Sequence, residues 1–513
     1  MSQDSLNKRY FSRVFSSLIT LILSFATISL VPRALGPLVY GSFNFLTTFF
    51  NTSLKFLKFG ITTAFYSKLS NRQGEKKLIG AYALFILLIV TILLLFTVGS
   101  IKLGFQEVIW PDQKINIIYG ALIFCLLTLI LEFNQITIDA LGYTFSFEKI
   151  NISRIIFFTT LVVVFYHFNI LTIFTYFSIY YITLLFIIVA SWYILAKNNV
   201  NLIKNILLTK NELFYYMKEF YTYSHPLFIS GLVVFIVAIL DRWFLQVFSG
   251  SEEQGYYSLG FKLGSVFFMF TASITSLLMR EMSASYKSKD KKVIKYYVKY
   301  YLPVFFFLTA FFGVFISFNS EKIILLIVGD QYINASTVMS ILAFYPIHQT
   351  YGQLGGAVLQ ATEKTKVIRN ISVSTGIIGI VVAFLFIAPS ELNGLGLGAI
   401  GLSMKVVIIQ FINVNILLFV IIRFLELSYK IFLFNQILII ANFILIAVVS
   451  KYLSLLFITN QLIFNILLSG FLYTTLTLFS ILFYPGVIML ERKELINKFK
   501  SFYSILIDKK LRR

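Results

Sequence analysis

Lysine is costly inside an apolar helix, and one expected membrane span of this chain carries two. Asn44, Thr48, Asn51, Lys55 and Lys58 are spaced by 4, 3, 4 and 3 residues, which sets all five on one stripe of a helix. A charged side chain at the bilayer centre costs roughly 2.5 to 3.5 kcal/mol on the insertion scale, and it marks a functional site by default. Counted from Asn44, Lys55 is expected about 16 Å along the axis, near mid-membrane. Snorkelling to the inner surface is the competing reading, most of all for Lys58. A later span repeats the pattern, with Ser258, Lys262, Ser265, Ala272 and Ser276 on one small, polar face and Lys262 in its outer third. Ser16, Thr20, Ser24 and Thr27 make a hydroxyl face on the first span, and Ser230 and Asp241 share a face on the seventh. Hydroxyl residues also mediate plain helix packing, so the lysines carry the inference. Four helices, two per half of the chain, are expected to surround a hydrated, cationic cavity. Such a cavity suits an anion, and a pyrophosphate can pair with lysine as a mobile point charge.

Other polar residues have narrower readings. Arg33 and Arg242 fall at the outer ends of paired helices, where they are expected to hold a gate with Asp241 as counter-charge. A purely structural Asp241–Arg242 pair is the alternative. Glu132 in the fourth span and His348 in the tenth are candidates for coupling to an H+ or Na+ gradient. The tenth span also holds Pro346 with several glycines, which reads as a kinked hinge. No phosphate loop, zinc-ligand set or catalytic triad is found, and Gly394–Gly398 lacks the strand–helix context of a nucleotide loop. Cys125 is the one cysteine, so no disulfide or cysteine metal site is expected. Nor is any cofactor, metal or catalytic residue.

These residues must be positioned by membrane helices. The chain has 513 residues, of which 58% are hydrophobic and 13% charged. The run from Tyr82 to Gly99 has no charge, and that from Phe157 to Leu195 carries only His167. Runs of this length cross a hydrocarbon core about 30 Å thick, and backbone in hydrocarbon must be helical. About fourteen spans are expected, in an all-α polytopic membrane protein. Met1 to Arg13 is polar and no cleavage site follows Val14 to Val31, so no signal peptide is expected. The net charge of +21 reads as topology rather than nucleic-acid binding. With both termini cytoplasmic, most Lys and Arg fall in inner segments, including a basic tail that faces anionic lipid.

A weak internal repeat organises the spans. Arg33 and "YGSFNFL" from Tyr40 echo Arg242 and "GYYSLGFKL" from Gly255, while Gln135 and Leu141 echo Gln353 and Leu359. The expected organisation is an N-terminal lobe at 1–210 (spans 1 to 6), a C-terminal lobe at 211–425 (spans 7 to 12), two extra helices at 426–490 and the tail at 491–513. Parallel repeats of this kind are common in transporters, with the substrate site between the halves. No segment outside the membrane is long enough for a soluble catalytic domain.

"VPRALGPLVYGSFNFLTTFF" resembles the first-loop signature of the polysaccharide transporter family, the Wzx-type flippases of the multidrug/oligosaccharidyl-lipid/polysaccharide exporter superfamily. "YSHPLFISGLVVFIVAILDRWFLQVFSG" from Tyr223, followed by "GYYSLGFKL", resembles its seventh-span region. The Arg33–Gly36–Pro37–Tyr40–Gly41 cluster and Asp241–Arg242 carry the likeness, which follows span order through the whole chain. The resemblance implies two pseudo-symmetric six-helix lobes of the MATE type, here with two C-terminal helices. It also implies an undecaprenyl-pyrophosphate-linked oligosaccharide as substrate and alternating access driven by an ion gradient. Polysaccharide polymerase or chain-length machinery would be a partner, in the bacterial inner membrane. On this reading Lys55, Lys58 and Lys262 hold the pyrophosphate, and Asn44, Thr48 and Asn51 meet the sugar of an O-antigen or capsule repeat unit. The two extra helices resemble lipid II flippases, which leaves a cell-wall precursor as the alternative. A drug exporter would need an acidic cavity for its cationic substrates. A glycan polymerase or ligase would need a large outer loop, and a non-transporting scaffold would tolerate loss of the lysines.

Overall fold

Hydrocarbon offers a backbone amide no partner outside its own chain, and the long apolar runs resolve accordingly. In the computed structural model, which describes residues 6–58, 60–225, 228–288, 290–456 and 461–483, every regular element is helical. The basic tail at 491–513 and Pro226 lie outside the described residues, as do the side chains of Ser230, Ala272 and Ser276. The helices in chain order are α1 (Leu6–Leu57), α2 (Ile61–Asn71), α3 (Lys77–Lys102), α4 (Gln106–Ile109), α5 (Ile115–Ala140), α6 (Thr144–His167), α7 (Ile173–Lys197), α8 (Leu202–Ile206), α9 (Lys210–Ser224) and α10 (Phe228–Gly264). They continue as α11 (Phe268–Lys287), α12 (Lys291–Tyr296), α13 (Leu302–Ile327), α14 (Ala335–Leu342), α15 (Tyr345–Ala361), α16 (Thr365–Ile387), α17 (Gly398–Phe424), α18 (Tyr429–Leu455) and α19 (Leu462–Phe483).

Among the described residues, eleven helices are long and apolar enough to cross a membrane. The protein is a polytopic α-helical membrane protein. Two of the eleven, α1 and α10, are bent at an internal glycine. The 52-residue α1 would run about 78 Å if straight, over twice the hydrocarbon thickness. It turns at Gly36, where φ is 70° and ψ 167°. The 37-residue α10 turns at Gly250, with φ 79° and ψ −176°. Both bends need positive φ, which glycine reaches at no steric cost. The region expected to kink at Pro346 is broken instead: α14 ends at Leu342, and Pro346 sits in the first turn of α15. Proline is favoured there because that N–H has no helical partner to lose.

The chain forms two compact units, Met1–Tyr256 with Ile387–Gly398, and Tyr257–Phe386 with Ala399–Arg513. Both bury small and hydroxyl residues among large apolar ones and also expose large apolar side chains, as helices do in lipid. In the first unit, Asn134 donates to Ser191 at 2.7 Å and Gly120 abuts the Phe177 ring, while Leu95, Ile182 and Val189 are exposed. In the second, α13 packs on α14, α15, α18 and α19. Its Thr309 hydroxyl lies 3.1 Å from that of Thr350, which lies 3.0 Å from that of Thr271.

Candidate functional site

The polar stripe lies on the limb of α1 beyond Gly36. Asn44, Thr48 and Asn51 are half-buried there, and the Asn44 amide donates to the Tyr40 carbonyl at 2.7 Å. α1 ends at Leu57, so Lys55 lies in its last turn, about 28 Å beyond the bend. The limb starts at Gly36, well before Asn44, so Lys55 lies toward its far end. Lys55 is exposed. Lys58 follows the helix end, and its ammonium lies 2.7 and 2.6 Å from the two carboxylate oxygens of Glu132 on α5. Two residues assigned separately from sequence, one to the substrate and one to coupling, therefore form one ion pair.

The bends bring another pair of sequence motifs together. Gly36 precedes Gly41 by five residues, as Gly250 precedes Gly255. A Cβ on Gly41 would fall on the Ser251 carbonyl, and one on Gly255 on the Pro37 carbonyl. Two helix starts thus cross with backbone against backbone, and the Ser42 and Ser251 hydroxyls meet at 3.2 Å. Gln113 and Gln246 both donate to the Ser251 hydroxyl, at 2.9 and 3.0 Å. Arg242 staples its own bend: its guanidinium donates to Gln254 Oε1 at 2.9 Å, and Gln254 Nε2 donates back to the Arg242 carbonyl. Arg33 and Asp241 are half-buried beside the same two bends.

In the second unit Lys262 is exposed on the limb of α10 beyond Gly250. It comes twelve residues after its bend and Lys55 nineteen after its own, so the two lysines stand at different depths along their limbs. His348 is buried on α15 between the rings of Phe306 and Phe411, with centroids 6.4 and 5.0 Å away.

Three charged features were missed. Lys405 on α17 is 3% exposed, with its side chain over Gly379. A lone lysine in the apolar run "GLSMKVVIIQF" was the available signal. Arg13 reaches buried Asp139 and, at 3.5 Å, buried Glu148, joining α1 to α5 and α6. Burial works against its charge, but Asp139 and then Glu148 outweigh that and hold the guanidinium above its ordinary pKa. Glu219 on α9 binds Lys68 at 2.6 Å and Arg72 at 2.7 Å. Among the described residues, no group of three or more His, Cys, Asp or Glu is placed to hold a metal.

Comparison with known proteins bears on this arrangement. The sequence profile of the family described as "Polysaccharide biosynthesis protein" matches residues 6–279, and that of the MatE family matches residues 226–385. No curated protein matches. Among solved structures, the chain resembles the lipid II flippase MurJ in an inward closed conformation, with a TM-score of 0.64 and 18% identity over 94% of this chain and 99% of that one. An inward-facing multidrug resistance MATE transporter matches with a TM-score of 0.55 and 14% identity, over 78% of this chain and 94% of the other. A transporter of the same MOP superfamily from Pyrococcus furiosus, described as having a binding pocket of reversed polarity, matches with a TM-score of 0.53 and 12% identity, over 82% and 96%. At these identities the likeness concerns the fold.

Proposed function

The chain belongs to the polysaccharide biosynthesis protein family, and from that membership we propose that it flips a polyprenyl-pyrophosphate-linked saccharide across the bacterial inner membrane. It is a transporter of the MOP superfamily and not an enzyme. The family match carries the reading, because residues 6–279 include both limbs of α1, the Lys58–Glu132 pair, both bends and Lys262. Lys55 and Lys58 would take the pyrophosphate in the first unit, with Asn44, Thr48 and Asn51 toward the sugar. Lys262 is the corresponding cation of the second unit. Arg33, Asp241 and Arg242 would stabilise the outward end, and H+ or Na+ would drive alternating access, with Glu132 and His348 the coupling candidates. An organisation of two six-helix lobes and two further helices is part of this proposal. It follows if α1 crosses twice, α10 crosses once before Gly250 and once more after it together with α11, and α14 with α15 cross once.

For the saccharide, the likeness to a lipid II flippase extends over 94% of the chain. That favours a cell-wall precursor of the lipid II type. The family description is the support for an O-antigen or capsule repeat unit, which remains the second reading. Both share the lipid pyrophosphate. Cells depleted of the protein are expected to accumulate a complete polyprenyl-pyrophosphate saccharide on the cytoplasmic leaflet, and its mass distinguishes the two. Absence of accumulation, with polymer intact, would overturn the flippase reading.

A further inference from the structure

The Lys58 ammonium is already engaged, by an anion the protein supplies itself. Glu132 meets it with both oxygens, 2.7 and 2.6 Å away. Here the Lys58 side chain is 12% exposed and that of Glu132 41% exposed, so the carboxylate lies on the open side of the lysine. Two oxygens on an ammonium reproduce the edge a phosphate would present to the same nitrogen. Lys58 follows the last turn of α1, and Glu132 lies about two turns from the end of α5. Both are toward the ends of long apolar helices, the end at which a charged headgroup would be met. Exposed Lys55, one turn earlier, forms no ion pair among the described residues.

We infer that Glu132 is an exchangeable internal anion: it holds Lys58 between turnovers and gives way when the lipid pyrophosphate arrives. The inference rests on the flippase reading and adds the regulation of its anion site. Competition of this kind lowers apparent affinity by the fraction of time Lys58 is already paired. It also returns the lysine to a neutral pair when the pyrophosphate departs, which favours release.

The test is titration of the purified full-length protein in detergent with inorganic pyrophosphate, by calorimetry, with sulfate as control. Glu132→Gln is expected to bind roughly tenfold more tightly than the unaltered protein, as for a pair closed about nine-tenths of the time. Lys58→Ala and the double variant are expected to bind far more weakly. Glu132→Asp keeps the charge on a shorter side chain and is expected to fall between, so the test survives if the glutamine variant does not fold. A merely structural pair predicts a lowered melting temperature in Glu132→Gln with no gain in affinity, and that result overturns the inference. A gain that persists in the double variant also overturns it. If pyrophosphate binds through Lys58 but ignores Glu132, the inference fails and the flippase reading stands. If no variant, Glu132→Gln included, binds pyrophosphate above sulfate, both fail.

Discussion

Lys55 and Lys262 are exposed near the membrane and form no ion pair among the described residues, which separates their function from their folding. Replacing an exposed, unpaired side chain changes stability by about 0.5 kcal/mol or less. Lys55→Ala with Lys262→Ala is therefore expected to leave protein level and melting temperature unchanged while abolishing the transported polymer. Normal polymer from that double variant would remove both lysines from the pyrophosphate assignment. Lys58 differs, because its loss leaves the Glu132 carboxylate without its cation. The polar stripe was legible because residues three and four apart share a helix face, so Asn44 to Lys58 align from local spacing alone. The Lys58–Glu132 pair was not, since its members are 74 residues apart and no local period connects them. Lys405 was open to the same argument used for Lys55 and was overlooked. Its burial under Gly379, on the neighbouring helix, needed the packing of α16 on α17.

At the level of elements, helices α9 and α2 are joined by charge. α9 opens with a capping box between Thr209 and Glu212 and buries Tyr216 and Phe220, while Phe214, Tyr215 and Tyr221 stay exposed. Glu212 pairs with Lys77, Tyr216 donates to Glu75 at 2.7 Å, and Glu219 joins Lys68 and Arg72. Burial alone would raise the Glu219 pKa, but hydrogen bonds from Arg72 and Lys68 outweigh it and hold the carboxyl below its ordinary value. A lowered folded-state pKa stabilises above the unfolded carboxylate value of about 4.3, and that contribution is lost as pH falls through the lower folded value. Hydrogen exchange in 210–224, corrected for its intrinsic pH dependence, should therefore quicken in the unaltered protein only below about pH 4. Glu219→Gln should exchange faster already at pH 7, with a smaller acid step left to Glu212. An unchanged profile would show that packing of Tyr216 and Phe220 holds α9 by itself. The bends allow a second comparison. Gly41 has ordinary helical φ, but its Cβ would strike the Ser251 backbone; Gly250 has open space around it, but a φ of 79°. Gly41→Ala forces backbone apart and is expected to cost about 3 kcal/mol or more, losing folded protein on size-exclusion chromatography. Gly250→Ala should cost only about 1–2 kcal/mol and stay folded, and equal losses would contradict this division. The apolar runs revealed these helices because length and composition suffice in hydrocarbon. They also placed separate spans on either side of the Gly36–Pro37 step, and the backbone there is non-helical, with φ 70° at Gly36.

Across the whole molecule, the distribution of positive charge predicts orientation, and the chain's own cysteine chemistry makes this testable. Lys and Arg together number 43 against 22 Asp and Glu, and the positive-inside rule sets the basic segments toward the cytoplasm. With the N-terminus inside, alternate crossings place the α3–α5 and α16–α17 connections outside. The same alternation puts α9 and the α15–α16 connection inside. Cys125 is fully buried and its sulfur faces the Thr47 carbonyl at 3.8 Å, so an impermeant maleimide should leave the unaltered protein almost unlabelled. Glu107, Lys218, Lys366 and Glu391 are exposed and have ordinary backbone angles, so a cysteine at any of them should not disturb folding. In intact spheroplasts, Glu107→Cys and Glu391→Cys are expected to label, whereas Lys218→Cys and Lys366→Cys should label only after the membrane is opened. Reversal of all four would invert the orientation. It would also move the Lys58–Glu132 end of α1 and α5 to the outer surface, where a site that loads lipid-linked saccharide from the cytoplasm could not begin its cycle. Reversal of only one pair would change the number of crossings between them and remove the fourteen-span arrangement, while leaving the Lys58–Glu132 pair where it stands.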